Sequence, residues 1–196
     1  MNLEILSLKD AVKFVPLEKS YAMRIEGPFD QNIFFNPLKE SENWVKSNNY
    51  CFDDLWPENW KEYSGYDPSG EEFQKYLKDQ QKEYPKMTAE SLLGYFESRG
   101  HPYGRYTLFD EEIAKKILDD FEMVKEEVNC VMVHCSRGKN RSPAVGMAMN
   151  EIYGWGIEDL KEKFPEYRRY VYQTMIDVSK KRLLRHPELW FYHKEQ

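Results

Sequence analysis

The sequence predicts a three-layer α/β domain: a mostly parallel sheet of four or five strands, helices on both faces, and an aromatic-rich helical insertion. Three observations carry this. Residues Val128–Val133 form a near-continuous apolar run, the pattern of a parallel strand buried on both faces. An amphipathic stripe of Ile113, Ile117, Phe121 and Val124 precedes it, and a second helix opens at Ser142-Pro143 after it. Between strand and second helix lies a polar loop, His134 to Arg141, at the sheet edge where α/β domains bind ligands. A length of 196 residues suits one domain over 1–196.

Taken in order, Leu3, Ile5, Leu6 and Leu8 read as a first strand, and Ser7 starts a short helix through Ala11, Val12 and Val15. Tyr21–Ile25 alternates as a second strand and stops at Gly27-Pro28. Residues 37–47 read as a helix with a proline in its first turn, broken by Asn48-Asn49, and Tyr50-Cys51-Phe52 as a short buried strand. Residues 56–107 hold eleven aromatics in 52 positions, with helices expected near 70–83 and 88–98. This segment is an insertion packed on the sheet, a recognition surface over a site, or both. Asp110 is the expected N-cap of the next helix, with Glu111 and Glu112 favoured in its first turn. Asp110, Asp119 and Asp120 are placed on its solvated side. The basic run Lys180-Lys181-Arg182 to Arg185 reads as a solvated helix face.

Composition narrows the function classes. The net charge is −6, and residues 1–136 hold 16 basic against 26 acidic side chains. Such a body repels extended nucleic acid and anionic membranes, while leaving room for a local basic site. No apolar run reaches the ~18 residues of a membrane span. The start MNLEILSLKD lacks a signal-peptide pattern, and three cysteines make no disulfide framework, so a reducing, cytoplasmic setting is expected. Cys130 or Cys51 pairing with Cys135 under oxidation stays open. No spacing suggests a metal site.

The loop His134-Cys135-Ser136-Arg137-Gly138-Lys139-Asn140-Arg141-Ser142 carries chemistry. A cysteine between a buried strand and a helix N-terminus sits where dipole, backbone N–H groups and guanidinium favour a thiolate. Gly138 lets successive N–H groups curl into an anion nest. Arg141 can grip two phosphate oxygens, and Ser142 can donate to the sulfur. His134 can order the loop or polarise the sulfur. A bare C-x5-R pattern occurs by accident in about one such chain in seven. The flanking His, Gly and Ser reduce that to roughly one in ten thousand. The competing reading is a structural cysteine at a strand end.

HCSRGKNRS resembles the H-C-x5-R-[ST] loop of the protein tyrosine phosphatase superfamily, closest to its small dual-specificity-like members, over about residues 108–154. The resemblance implies a phosphatase-like fold and Cys135 as nucleophile. It also implies Arg141 as phosphate clamp, backbone N–H groups of 136–141 (Ser136, Arg137, Gly138, Lys139, Asn140, Arg141) around the phosphate, and a phosphocysteine intermediate with neither metal nor cofactor. Asn140 departs from the small residue frequent there. The N-R-S-P stretch is also similar to low-molecular-weight tyrosine phosphatases, whose cysteine lies near the N-terminus, unlike Cys135.

The superfamily's general acid is usually an Asp on a loop after an earlier strand. Asp54 is the first candidate, with its neighbour Asp53 and with Glu58, in a Trp56-Pro57-Glu58 stretch similar to the W-P-D loop of larger members. The substrate expected is a phosphorylated protein, phosphotyrosine or dual-specificity, because the aromatic segment could form a stacked cleft. Arg137 and Lys139 raise a small phosphorylated substrate as the alternative. Loops of this kind resemble those of inositol phosphate, inositol pyrophosphate and phosphoinositide phosphatases, and RNA 5′-phosphatases follow. A phosphate-binding module without turnover is the non-enzyme alternative.

Overall fold

The computed structural model describes residues 1–27, 36–54, 82 and 108–185. The expected helices at 70–83 and 88–98, the aromatic segment that holds them (Lys82 apart) and Glu58 lie outside the described residues. Four strands form one sheet: β1 (Asn2–Ser7), β2 (Ser20–Glu26), β3 (Trp44–Cys51) and β4 (Cys130–Cys135). Their order is β1-β4-β2-β3 and every pairing is parallel. Among the described residues five helices accompany them: α1 (Leu8–Ala11), α2 (Glu111–Glu122), α3 (Arg141–Ile152), α4 (Leu160–Lys163) and α5 (Arg169–Arg185).

Side-chain alternation along the two central strands divides the core in two. Tyr21, Met23 and Ile25 of β2 and Val131, Val133 and Cys135 of β4 share the larger core with α2, α3 and α5. Ala22 and Met132 face the other way, onto Ala11 of α1, with Leu6, Phe14, Leu38 and Trp44 around them. All seven residues of β2 and all six of β4 are buried, which explains their continuous apolar character. The chain leaving β1 turns to one face and the chain leaving β4 to the other. Neighbouring strands whose connections diverge open a crevice at their C-terminal ends. Cys135 lies there, level with Ser7.

One local expectation along the sheet's edge is corrected. Residues 37–47 do not form a helix: 37–43 are irregular, and β3 begins at Trp44 and runs through Asn48-Asn49. Leu38 and Trp44 reach one apolar cluster because the Trp44 indole donates to the Lys39 carbonyl at 2.9 Å, folding the segment on itself. Backbone pairing with β2, through Met23 opposite Asn48 and Ile25 opposite Tyr50, outweighs the poor strand propensity of the asparagines. The basic run on α5 lies on a solvated face, with Lys180 and Lys181 exposed, and forms surface ion pairs there: Lys181 with Glu111 at 2.5 Å and Arg182 with Asp119 at 2.7 Å.

Asp110 caps α2 as expected, accepting from Ile113 N at 2.9 Å. Asp120, expected in solvent, is buried. It accepts from Tyr50 Oη at 3.0 Å and from Lys116 Nζ at 2.6 Å, and Tyr50 in turn shares a 2.6 Å contact with Tyr21 Oη. Burial raises the Asp120 carboxyl, but bonds from Lys116, Asn48 and Tyr50 outweigh it and hold it below its ordinary value. A lowered carboxyl stabilises the fold fully above its unfolded value near 4, and that contribution fades as pH falls through the lower folded value. Asp120→Asn is expected to cost about 1–2 kcal/mol at pH 7, by urea unfolding, with the gap to wild type closing below pH 4. A gap constant with pH would contradict this account.

Candidate active site

Strand β4 ends in two residues of opposite direction. Cys135 falls on the larger-core face and is 2% exposed; His134 falls on the other face and is fully buried. The His134 Nε2 accepts from Arg24 Nε at 3.2 Å, so in the neutral ring the proton sits on Nδ1. Burial, then the Arg24 charge, pushes its pKa down to about 3 against the opposing pull of the Cys135 backbone. His134 is therefore neutral at working pH. Arg24 also donates to the Asn36 carbonyl at 2.6 Å, which braces this pair from the outer strand's approach. Sequence reasoning named His134 and missed Arg24, which lies 110 positions away.

After Cys135 the chain folds back against β1. Ser136 O accepts from Leu8 N at 3.1 Å. Gly138 has φ +70°, and a Cβ there would stand 2.7 Å from Ser7 N and 2.8 Å from the Leu6 carbonyl carbon. Both conformation and space exclude a side chain at that turn. Arg137 and Lys139 are exposed. Asn140 serves as the N-cap residue of α3 without a side-chain capping bond. Its Nδ2 donates instead to Glu166 O at 2.8 Å, and its carbonyl accepts from Arg168 N at 3.1 Å. The residue that departs from the superfamily pattern thus fastens the loop to the segment before α5.

The first turn of α3 brings two side chains back to the cysteine. Ser142, fully buried, donates from Oγ to Cys135 Sγ at 3.2 Å. Arg141 is 3% exposed and donates from Nη1 to Phe52 O at 2.9 Å. Gly27, at the exit of β2, leaves the room for this: a Cβ there would lie 2.9 Å from Arg141 Nη1 and 3.0 Å from Asp53 Oδ1. The exits of β2, β3 and β4 therefore converge, bringing Cys135, Ser142, Arg141 and Asp53 into one neighbourhood. An O–H directed at sulfur stabilises negative charge on it, and the buried guanidinium at the neighbouring strand exits attracts an anion.

The two carboxylates after β3 part company. Asp53 is buried beside Gly27 and Arg141. Asp54 is half-buried and forms an ion pair with Arg168 Nε, whose Nη2 also donates to Asp54 O at 3.3 Å. Arg168 is the second residue missed from sequence, since nothing local marks a partner 114 positions away.

No disulfide joins the three cysteines, and geometry keeps them apart. Cys130 and Cys135 occupy the two ends of β4, roughly 16 Å apart at the rise of a strand. Cys51 and Cys135 are separated by β2, roughly 10 Å across two strand spacings. A disulfide needs Cα atoms within about 7 Å, so neither pairing forms within this sheet. Burial pushes the Cys130 thiol up to about 11, consistent with a structural role. No family model, curated protein or solved structure matches the chain. Among the described residues, no helix is long and apolar enough to cross a membrane.

Proposed function

We propose that this protein is a cysteine-dependent phosphate-monoester hydrolase of the protein tyrosine phosphatase type, working without metal or cofactor. The observation that carries the reading is the 3.2 Å bond from Ser142 Oγ to Cys135 Sγ, with buried Arg141 on the same helix turn. In the reaction, Cys135 sulfur attacks phosphorus in line while Arg141 and the loop N–H groups hold the equatorial oxygens. The ester P–O bond breaks, and the leaving oxygen takes a proton from a carboxylic acid: Asp54 first, with its neighbour Asp53 and Glu58 as the other candidates. Water then attacks the phosphocysteine and gives a proton back to the carboxylate, the P–S bond breaks, and inorganic phosphate departs. Sulfur leaves as thiolate, stabilised by the Ser142 hydroxyl.

A phosphorylated protein, phosphotyrosine or dual-specificity, is the substrate the resemblance implies, and its motive is the aromatic segment at 56–107. A small phosphorylated substrate has support among the described residues, in a basic cavity beside the loop. The decisive experiment is hydrolysis of p-nitrophenyl phosphate in excess EDTA, with rapid quenching and mass spectrometry of the Cys135 peptide. Turnover together with phosphate on Cys135 is expected. Absence of turnover, or turnover that never loads Cys135, overturns the reading and favours the binding module.

A further inference from the structure

A cavity of about 550 Å³ opens beside the loop, lined by Arg137, Asn140, Arg168, Arg169, Asp54 and Glu166, with Pro165 and Tyr167. Cys135, Ser142 and Arg141 are not part of its wall, so it is distinct from the nucleophile's position and meets the loop through Arg137 and Asn140. Its charge is unbalanced. Arg168 is engaged by Asp54, whereas Arg137 and Arg169 are exposed and make no ion pair with any described residue. Glu166 is the other acidic residue of the wall, which leaves three arginines against two carboxylates.

Two further features point the cavity at an anion. Arg168 and Arg169 open the 17-residue helix α5, whose first intrahelical bond runs from Tyr172 N to Arg168 O, so the positive end of the helix dipole faces the same space. Asn140 then fixes the offset between this wall and the catalytic loop, through Glu166 O at 2.8 Å and Arg168 N at 3.1 Å. A rigid spacing between two anion-attracting sites selects ligands with two anionic groups at matching separation. Lys139, paired with Arg137 in the sequence reading, does not line the cavity; Arg168 and Arg169 take that place.

Resting on the phosphatase reading above, we propose that this cavity is a second anion subsite, holding a further phosphoryl group of a small, multiply phosphorylated substrate. The volume is that of a small-molecule site. The acidic remainder of the chain repels long polyanions, which limits the ligand to one that fits within the arginine wall. Arg168 links the subsite to the acid loop. An arriving dianionic phosphoryl group competes with Asp54 for its guanidinium, which frees the Asp54 side chain to turn toward the leaving oxygen.

Turnover of inositol hexakisphosphate and inositol monophosphate by the full chain tests this, using wild type and the double variant Arg137→Gln with Arg169→Gln. The expected result is a fall in kcat/KM for the hexakisphosphate about tenfold or more beyond the fall for the monophosphate, the scale of lost charge-assisted hydrogen bonds. Equal falls overturn the subsite. So does a doubly phosphorylated peptide that surpasses the hexakisphosphate in kcat/KM. Calorimetry of hexakisphosphate binding to Cys135→Ser protein, with and without the arginine changes, needs no turnover. A dissociation constant unmoved by the double change overturns the subsite even if hydrolysis is absent, whereas absent hydrolysis alone overturns only the phosphatase reading.

Discussion

Cys135→Ser is expected to reduce hydrolysis of p-nitrophenyl phosphate by roughly 10⁴-fold or more, the scale seen when a covalent nucleophile is removed. The exchange of sulfur for oxygen keeps the volume almost unchanged at a 2% exposed position, and Ser142 can still donate to the new oxygen. Folding is therefore expected to survive. What the hydroxyl lacks is a base. His134, its neighbour in sequence, points to the opposite face of β4, accepts from Arg24 through Nε2, and carries its proton on Nδ1. No lone pair of that ring is left to activate a serine. The measurement is turnover beside a urea midpoint. A variant that keeps its midpoint and more than about one hundredth of the wild-type rate would remove Cys135 from the chemistry.

The parts of the site legible in the sequence are those built by adjacent residues. The change from strand pattern to helix pattern on either side of 134–141 was visible because β4 is buried on both faces and α3 packs against it. The Ser142-to-Cys135 bond follows once that turn is granted. Sequence separation hid the rest. Arg24, Arg168 and the Tyr50 partner of Asp120 act from 110, 114 and 70 positions away, across strands that only the fold brings together. Strand β3 was hidden differently, because its order is imposed by the ladder with β2 and its own residues, Ser47 to Asn49, carry no apolar rhythm. Asp120 was misread because Lys and Glu surround it on α2 and suggest solvent, while Tyr50 reaches it from the sheet.

Arg141→Lys keeps the charge and changes the geometry, which makes it the sharper test of the phosphate clamp. In the structure the guanidinium is buried, with Nη1 held by Phe52 O at 2.9 Å in the space Gly27 leaves open. A planar fork can spend one edge on that carbonyl and direct the other to two phosphate oxygens. An ammonium offers a single point of charge on a flexible stem. It must either stay with Phe52 O or move to the anion. The expected loss is roughly 10²- to 10³-fold in kcat/KM for p-nitrophenyl phosphate, comparable to removal of a preorganised donor from a charged transition state. Inhibition by inorganic phosphate separates clamping from general damage, because a clamp lost with the fold intact weakens phosphate binding at an unchanged urea midpoint. If the rate falls while the phosphate inhibition constant holds, Arg141 serves mainly to anchor the β3 exit through Phe52, and the anion must be gripped by the loop backbone alone.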